Sequence, residues 1–563
     1  MSKNAKKVSD SELARFFLEK VEKDAIIPEL FNLFGFDCLV RCTIDPNKLD
    51  GLIQQFEKSN FSDCETLSSI IGLIRQGKST SDKQEKDLLG EIKDYVTEHL
   101  TEDISIESIA EVLHISYYYI CHFFKQQTGL TLSAFRNQKR IENAIRMLID
   151  TDEKISDIAA LCGFNNVSYF TEIFTKSTLL SPTAFKTKNK NACFHPFYSY
   201  EDMLLTAKLG SVKFLEPPSS QLLTHDIATY SVHEPDEQFE FLHESAIMEY
   251  GGVLYASWYN CPKRELQGYT PICGKRSYNG GQTWTDIEII ADDKSGKILF
   301  CPPVYGVCHG KLYMLVNEMV APDHIHAMDL YVLDNATDQF KFLWSRPIPF
   351  KLNTNVVTLP NGKLILPGRI AELDGFPNTP AVLISDSGNM DAEWRLIKVV
   401  ENGDLPDGKK LVHPEVSILC SGKILYMFCR NDQRRVPLVY ISKDFGESWS
   451  DAFAHDIPYV SSKIYGGMLS NGRNFLVANT YEFDRSKLVI YFSEIGTMHF
   501  EKHMVLFDRE TSNMQGVTAC HYPAAVESDG KLYVIATKNY EGSHRGAILF
   551  VIDLQDIELT ALQ

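Results

Sequence analysis

The sequence predicts a multidomain protein. Its N-terminal half is all-α and contains two helix-turn-helix units; its C-terminal half is all-β and forms a six-bladed propeller. Three observations predict this. Residues 84–188 hold two pairs of short apolar stripes at helical spacing, each pair broken by a tight turn. A glycine turn between two apolar strands recurs six times after residue 250. Between these regions, residues 189–225 contain Pro196, Pro217 and Pro218 and little periodicity, as in a linker or docking strap. The 563 residues are too many for one ordinary core, and an apolar fraction of 44% excludes wholesale disorder.

Residues 1–83 read as helices of unassigned role. Leu13, Phe16, Phe17 and Val21 recur at helical spacing, as do Leu67, Ile70, Ile71 and Ile74. Cys38 and Cys42 share a helix face but lack further ligands, so packing is expected there and no metal. No run of 18 apolar residues predicts a membrane span, and the opening MSKNAKKVSDSELARFF has no apolar core of a secretory signal. Thirteen cysteines without a CxxC pair fit reduced thiols, so a cytoplasmic location and no membrane partner are expected. The net charge of −18 excludes a generally basic nucleic-acid coat, but not one small DNA-reading domain.

In residues 104–129, Ser105 is expected to cap one helix with the stripe Ile106, Ile109, Ala110 and Leu113. Ser116 caps a second, with Ile120, Phe123 and Phe124 inward, and Gly129 ends it. Helices joined this tightly cross steeply, and the second can enter a major groove. Its outward face offers Tyr117, Tyr118, Cys121, His122 and Lys125. A long helix follows from about Leu132 to Leu148. The pattern then repeats: Ile155, Ile158, Ala159 and Leu161, a turn at Gly163, and a helix from Asn166 or Ser168 with Tyr169, Phe170, Ile173 and Phe174 inward.

The run from SYYYICHFFKQQTG through GFNNVSYFTEIF to SPTAF resembles the DNA-binding domain of the AraC/XylS transcription regulators over about 100 residues. The resemblance implies sequence-specific binding to double-stranded DNA by two recognition helices beginning at Ser116 and near Asn166. It also implies RNA polymerase as a partner through the regulator role, with a homodimer as one assembly. DNA contacts are then expected from Tyr117, Tyr118, Cys121, His122, Lys125, Arg136, Lys139, Arg140, Asn165, Asn166, Ser168 and Lys176, with Lys186 as a further phosphate contact. Leu179 stands where the family usually has Gly, and Glu172 where it often has a basic residue. Residues 117–190 hold 10 basic against 6 acidic side chains, although the acid-rich leading helix reverses the balance over 86–190.

The six turns begin at Gly252, Gly310, Gly362, Gly422, Gly472 and Gly530. A period of 50–60 residues with several strands per unit is that of a propeller blade. The last blade shows three strands of its own, and Ile227–Val232 is expected to supply the fourth and close the ring over residues 226–563. Ser277–Trp284 and Ser442–Trp449 resemble the Asp-box of sialidase-like propellers, with decayed copies at Ser385–Trp394 and Ser493–Phe500. The box implies a folding device, not a catalytic one.

First strands begin at one mouth of such a ring, and second strands end there. Those positions hold His243, Glu244, Asn260, Asn317, Glu318, Asn355, Arg369, His413, Glu415, Arg430, Asn431, Tyr465, Tyr481, His521, Tyr522 and Asn539. Such groups suit a sugar or sugar acid; they also suit a solvated funnel or a protein-docking platform. The leading expectation is a transcription regulator whose propeller senses a carbohydrate-like ligand without cofactor or metal. The alternative is a glycan-processing enzyme, a sialidase-like hydrolase or a lyase, carrying a DNA-binding domain. The sialidase family's early Arg-Ile-Pro signature is missing. Glu415 with Tyr522 is the candidate nucleophilic pair, and His243 or His413 the candidate acid–base group.

Overall fold

A computed structural model of the chain describes residues 26, 46–76, 88–102, 104–113, 115–189, 198–215, 221–224, 227–322, 324–370, 378–458, 461–480, 484–542 and 544–559. Leu13, Phe16, Phe17, Val21, Cys38, Cys42 and Tyr481 lie outside them. The chain divides into two compact units, residues 1–187 and 188–563.

The first unit is helical: α1 (Pro46–Lys58), α2 (Cys64–Gln76), α3 (Leu88–Glu98), α4 (Ile106–Val112), α5 (Tyr117–Thr128), α6 (Leu132–Asp150), α7 (Ile155–Leu161), α8 (Val167–Thr178) and α9 (Pro182–Lys188). Leu49, Ile53 and Phe56 of α1 and Leu67, Ile70 and Ile71 of α2 are buried. The first helix-turn-helix, α4–α5, packs Ile109, Ala110, Tyr119, Ile120 and Phe124 against Ile92 and Val96 of α3 and Phe135 of α6. Ser105 and Ser116 cap their helices as expected, accepting from the Ser108 and Tyr119 N–H groups. The second, α7–α8, is built on a file of rings: Phe164, Phe170, Phe174 and Phe185 meet at centroid separations of 5.2, 5.5 and 5.2 Å. Its turn at Gly163 has φ +83, and a Cβ there would lie 2.5 Å from the Leu100 carbonyl oxygen. Two expected inward residues face outward instead. Leu161 and Tyr169 are 56% and 46% exposed, because Ile158, Ala159 and Phe170 already fill the narrow inner face.

The second unit opens with α10 (Tyr200–Leu209), β1 (Ser211–Val212), β2 (Gln221–Leu222) and β3 (Ala228–His233). Six antiparallel sheets follow. They are β4 (Phe241–Tyr250), β5 (Val253–Cys261), β6 (Ile272–Ser277) and β7 (Glu288–Ala291); β8 (Leu299–Cys308), β9 (Lys311–Ala321), β10 (His324–Asp334) and β11 (Gln339–Arg346); and β12 (Lys351–Leu352), β13 (Val357–Thr358), β14 (Leu364–Ile370), β15 (Thr379–Ser385) and β16 (Arg395–Lys398). Then come β17 (Val416–Ser421), β18 (Ile424–Cys429), β19 (Leu438–Ser442) and β20 (Phe453–His455); β21 (Tyr465–Met468), β22 (Arg473–Asn479), β23 (Lys487–Ile495) and β24 (Phe500–Asp508); and β25 (Val517–Ser528), β26 (Lys531–Tyr540) and β27 (Arg545–Asp553). β3 joins β27 as the fourth strand of the last sheet, in the place expected for Ile227–Val232. The short α11 (Leu554–Leu559) ends the unit.

The segment expected as a linker or strap is, where described, a strap. β1 adds a parallel fifth strand to β20, and β2 does the same to β24. Phe214 is buried against Tyr426, Phe428 and His455, and Asp456 accepts from the Phe214 and Leu215 N–H groups. The boxes behave as turns. Ser442 Oγ accepts from the Gly446 N–H, Asp444 from the Ser448 N–H, and Trp449 Nε1 donates to the Gly446 carbonyl; Ser277, Asn279, Gly281 and Trp284 repeat the set.

α8 ends on Leu179, left-handed at φ 63 and 71% exposed. It takes the conformation that Gly129 supplies to α5 at φ 76. A side chain held there costs about 1 kcal/mol. Leu179→Gly is therefore expected to stabilise the helical unit by about 1 kcal/mol, read as a higher melting temperature; no rise would show that Leu179 is unstrained.

Candidate functional site

Each blade's first strand starts, second ends and third starts at the same mouth, because neighbours run antiparallel. Three inner strands slip register there, β8 between Phe300 and Pro303 among them. β4 slips register between His243 and Ala246, and β25 between His521 and Ala524. Glu244 and Tyr522, inside the slips, have left-handed φ of 51 and 53. Bulges of this kind turn consecutive side chains toward one place, at a cost of about 1–3 kcal/mol each. They bring His243 to 4.1 Å from the Tyr522 ring and 5.2 Å from the His521 ring, centroid to centroid.

Arg430 is the hub. Its Nη1 donates to Glu415 Oε2 at 2.8 Å and to the Tyr522 hydroxyl at 2.7 Å; its Nε donates to Asp432 Oδ1 at 2.6 Å. The other Asp432 oxygen pairs with His413 Nδ1 at 2.8 Å. Lys463 donates to Glu244 at 2.9 Å, both buried, and lies over the Tyr522 ring. Burial works against a charged Glu415, but Arg430 and Lys463 outweigh it and hold the carboxyl below its usual range. Burial, then Glu415, keeps the Tyr522 phenol protonated well above its ordinary pKa. Burial, with Arg545 nearby, keeps His243 neutral; burial, with Arg485 nearby, does the same for His521, which pairs with Asn539 at 2.9 Å.

The structure thus gathers His243, Glu244, His413, Glu415, Arg430, His521 and Tyr522. Arg369, buried on β14, donates to Asn378 Oδ1 at 3.1 Å and acts electrostatically on Glu415. Other expected members do different work. Tyr465 lies in the core, donating to the Ala525 carbonyl. Asn431 ties its own loop, accepting from the Gln433 and Arg434 N–H groups and donating to the Val436 carbonyl. Asn260 is fully buried within its blade beside Cys273. Asn317 and Asn355 staple blades: Asn317 bonds the backbone of Phe350 and Leu352, and Asn355 that of Tyr305 and Ile247. Glu318 is beside Asp329, whose carboxyl is pushed up to about 7, first by burial.

Two mouth residues were missed. Arg485, just before β23, stacks 5.1 Å from the Tyr522 ring centroid and donates to the Ser461 carbonyl. Arg545, which starts β27, lies 4.2 Å from the Phe241 ring centroid, and its buried Nη1 has no hydrogen-bond partner among the described residues. Among the described residues neither arginine has an ion pair with a carboxylate. Both introduce third strands, whose starts also face the mouth; that topological signal was present in the sequence. A cleft of about 480 Å³ lies at the far end of the strands, lined by Met468, Ser470 and Glu527 and without this chemistry.

On the helical unit, Tyr117, Tyr118, Cys121 and His122 are half-buried on α5, and Lys125 is exposed. Asn166 caps α8 by accepting from the Ser168 and Tyr169 N–H groups; Asn165, Ser168 and Lys176 are exposed. Four expected phosphate contacts are otherwise engaged. Arg140 is buried, donating to the Leu100 and Glu102 carbonyls and stacked on Phe164, so it holds the turn at Gly163 and is not available to DNA. Arg136 donates to the Ile104 carbonyl, and Lys139 pairs with Glu142 at 2.7 Å. Lys186 donates to the Glu153 carbonyl from an exposed position. No helix among the described residues is long and apolar enough to cross a membrane, which says nothing of strands.

The fold and faces define a helix-turn-helix DNA-binding domain in one chain with a six-bladed β-propeller. The helix-turn-helix domain model matches residues 109–188, and the BNR repeat-like domain model matches 252–534, half of the chain. The chain belongs to the BNR repeat-like domain family and carries an AraC-type helix-turn-helix domain. It is 30% identical over 138 residues to the bifunctional transcriptional activator/DNA repair enzyme AdaA of Bacillus subtilis (strain 168), covering 24% of this chain and 61% of that protein. It is 30% identical over 118 residues to the HTH-type transcriptional activator RhaS of Enterobacter sp. (strain 638), covering 21% and 42%. The chain thus spans less than two thirds of the length of either relative. Similar solved structures include a protein of unknown function from Dyadobacter fermentans DSM 18053, with TM-score 0.48, 14% identity and coverage of 58% of this chain and 98% of that one. Another is the Trypanosoma rangeli sialidase in complex with sialic acid, with TM-score 0.45, 14% identity and 61% of each chain.

Removing Arg430 strands two carboxylates. Arg430→Ala is expected to destabilise the propeller by about 3–5 kcal/mol, the usual cost of leaving a buried charge unpaired. Calorimetry of the unliganded chain checks this; an unchanged melting temperature would mean that Glu415 and Asp432 do not depend on it.

Proposed function

We propose that the chain is a sequence-specific transcription regulator whose propeller mouth senses an anionic, carbohydrate-like ligand. The observation that carries the ligand assignment is the pair Arg485 and Arg545. Two guanidinium groups without an ion pair among the described residues stand near Tyr522; burial, with Arg485 adding to it, pulls the Arg545 pKa below its ordinary value, and the more distant Glu265 offsets this only in part. A sugar carboxylate would relieve both, bidentate to one or shared between them. His413, Asp432 and Glu415 are placed for ring hydroxyls. Thermal shift in the presence of sugar acids and their neutral counterparts tests the reading. A sugar acid at a hundredfold its Kd is expected to add about 2.7 kcal/mol, a neutral sugar little. Arg485→Ala and Arg545→Ala are expected to abolish the response while the fold persists. A response unchanged in both variants would remove these arginines from the site.

DNA recognition in this reading belongs to α5 and α8, two helices offered to successive major-groove segments. Selection of random duplexes by the full chain is expected to return one recurrent motif. Lys125→Ala should then weaken all sequences alike and lower the salt slope by about one counterion. Recovery of no motif at modest salt would overturn the regulator reading. A second reading, glycan cleavage or elimination, is favoured by Glu415 and Tyr522 sharing one Arg430 nitrogen. Turnover of aryl glycosides or polysaccharide, lost in Tyr522→Phe, would establish it over sensing.

A further inference from the structure

The two recognition helices present their N-termini differently. At the start of α8, Val167 and Tyr169 are 44% and 46% exposed, and the Tyr169 hydroxyl accepts from Asn137 of α6 at 3.0 Å, with no carboxylate among the described residues bonded to the first turn. At the start of α5, helix α1 lies across the same place. Asp50 Oδ1 accepts from the Ser116 hydroxyl at 2.5 Å, and Asp50 Oδ2 from the Tyr117 N–H at 3.1 Å. Glu57 accepts from the Tyr118 hydroxyl at 2.5 Å. Asp50 and Glu57 are seven residues apart, two turns of one helix, and so share a face. Leu49, Ile53 and Phe56 beside them are buried.

The N-terminal residues of such a helix meet DNA, and its free N–H groups and hydroxyls are the donors that take a phosphate. Here two carboxylates already hold those donors. The contact is not needed to cap α5, because Ser116 Oγ itself accepts from the Tyr119 N–H. Nor is α1 an acidic helix at large: Lys48 and Lys58 balance Asp50 and Glu57, and only the acids engage α5.

We propose that α1 is an autoinhibitory cap, with Asp50 and Glu57 standing where DNA phosphates would bind α5, so that the first helix-turn-helix is closed while the second stays open. This rests on the DNA-binding reading above. Release of α1 admits a second major-groove contact, and the chain passes from one-helix to two-helix binding.

The test uses the full chain and a duplex carrying the selected motif, read by titration at fixed salt. Asp50→Asn with Glu57→Gln is expected to bind about tenfold more tightly than wild type. Glu57→Gln alone, which removes only the outer bond and leaves the Asp50 contact, is expected to gain about threefold. Glu65→Gln removes an exposed charge from the neighbouring α2 and is expected to change affinity less than twofold. A purely structural contact would give the opposite sign, with lower melting temperature and weaker binding in the double variant. Equal or weaker binding by the double and single variants would overturn the cap while wild-type binding keeps the DNA reading. Absence of binding by every variant to any selected duplex would overturn the DNA reading itself.

Discussion

Closure of the ring is the constraint on which the propeller depends. β27 would otherwise present an open sheet edge, and β3 covers it through the pairs Ala547–His233, Ile548–Ser231 and Leu549–Tyr230. Side chains lock the seam. Glu234 takes Lys538 and the Tyr540 hydroxyl, Lys275 donates to the Val232 carbonyl, and His233 stacks on Trp258 at 5.2 Å. The strap preceding β3 extends the same logic, since β1 and β2 cover the outer edges of two further blades. Chain order alone thus makes the first and last strands of the propeller mutually dependent.

A closed ring fixes what its inner strands can aim at the axis. Ordinary strands alternate their side chains between faces, so adjacent residues cannot both point into the mouth. The slips at His243–Glu244 and His521–Tyr522 break that rule, and they do so in the two blades flanking the closure. The charged groups assembled there are buried, and isolated they would be costly. Each is matched: Lys463 with Glu244, and Arg430 with Glu415 and Asp432. Arg485 and Arg545 have no ion pair among the described residues, Arg545 feeling only the longer-range field of Glu265, which is why the ligand assignment rests on them and not on Arg430.

The fold was legible in the sequence because its determinants are periodic or local. Ser105, Ser116 and Asn166 cap helices through bonds to N–H groups two or three residues on, and the glycine turns count the blades. The mouth was legible only in part. Polar residues at strand ends serve two purposes that spacing cannot separate. His243, Glu415 and Tyr522 enter the site, whereas Asn317, Asn355 and Asn431 satisfy backbone groups at seams and loops. Arg140 was misread for a similar reason. A basic residue on a helix looks solvated until the Leu100 and Glu102 carbonyls are brought to it from 40 and 38 residues earlier in the chain.

The same limit explains why the acids of α1 carried no signal. Asp50 lies 66 residues before its partner Ser116, and nothing in PNKLDGLIQQFEK marks it as other than a solvated face. Its effect appears only when α1 packs on α5. Residues 117–190 are net basic, but the recognition helices themselves carry little of that charge: Lys125 on α5, and Lys176 beside Glu172 on α8. An internal helix that neutralises the donors of one unit makes two similar sequence motifs unequal in their reach to DNA. Any event that biases α1 between docked and free would then change the number of groove contacts, and affinity with it, without altering either recognition helix.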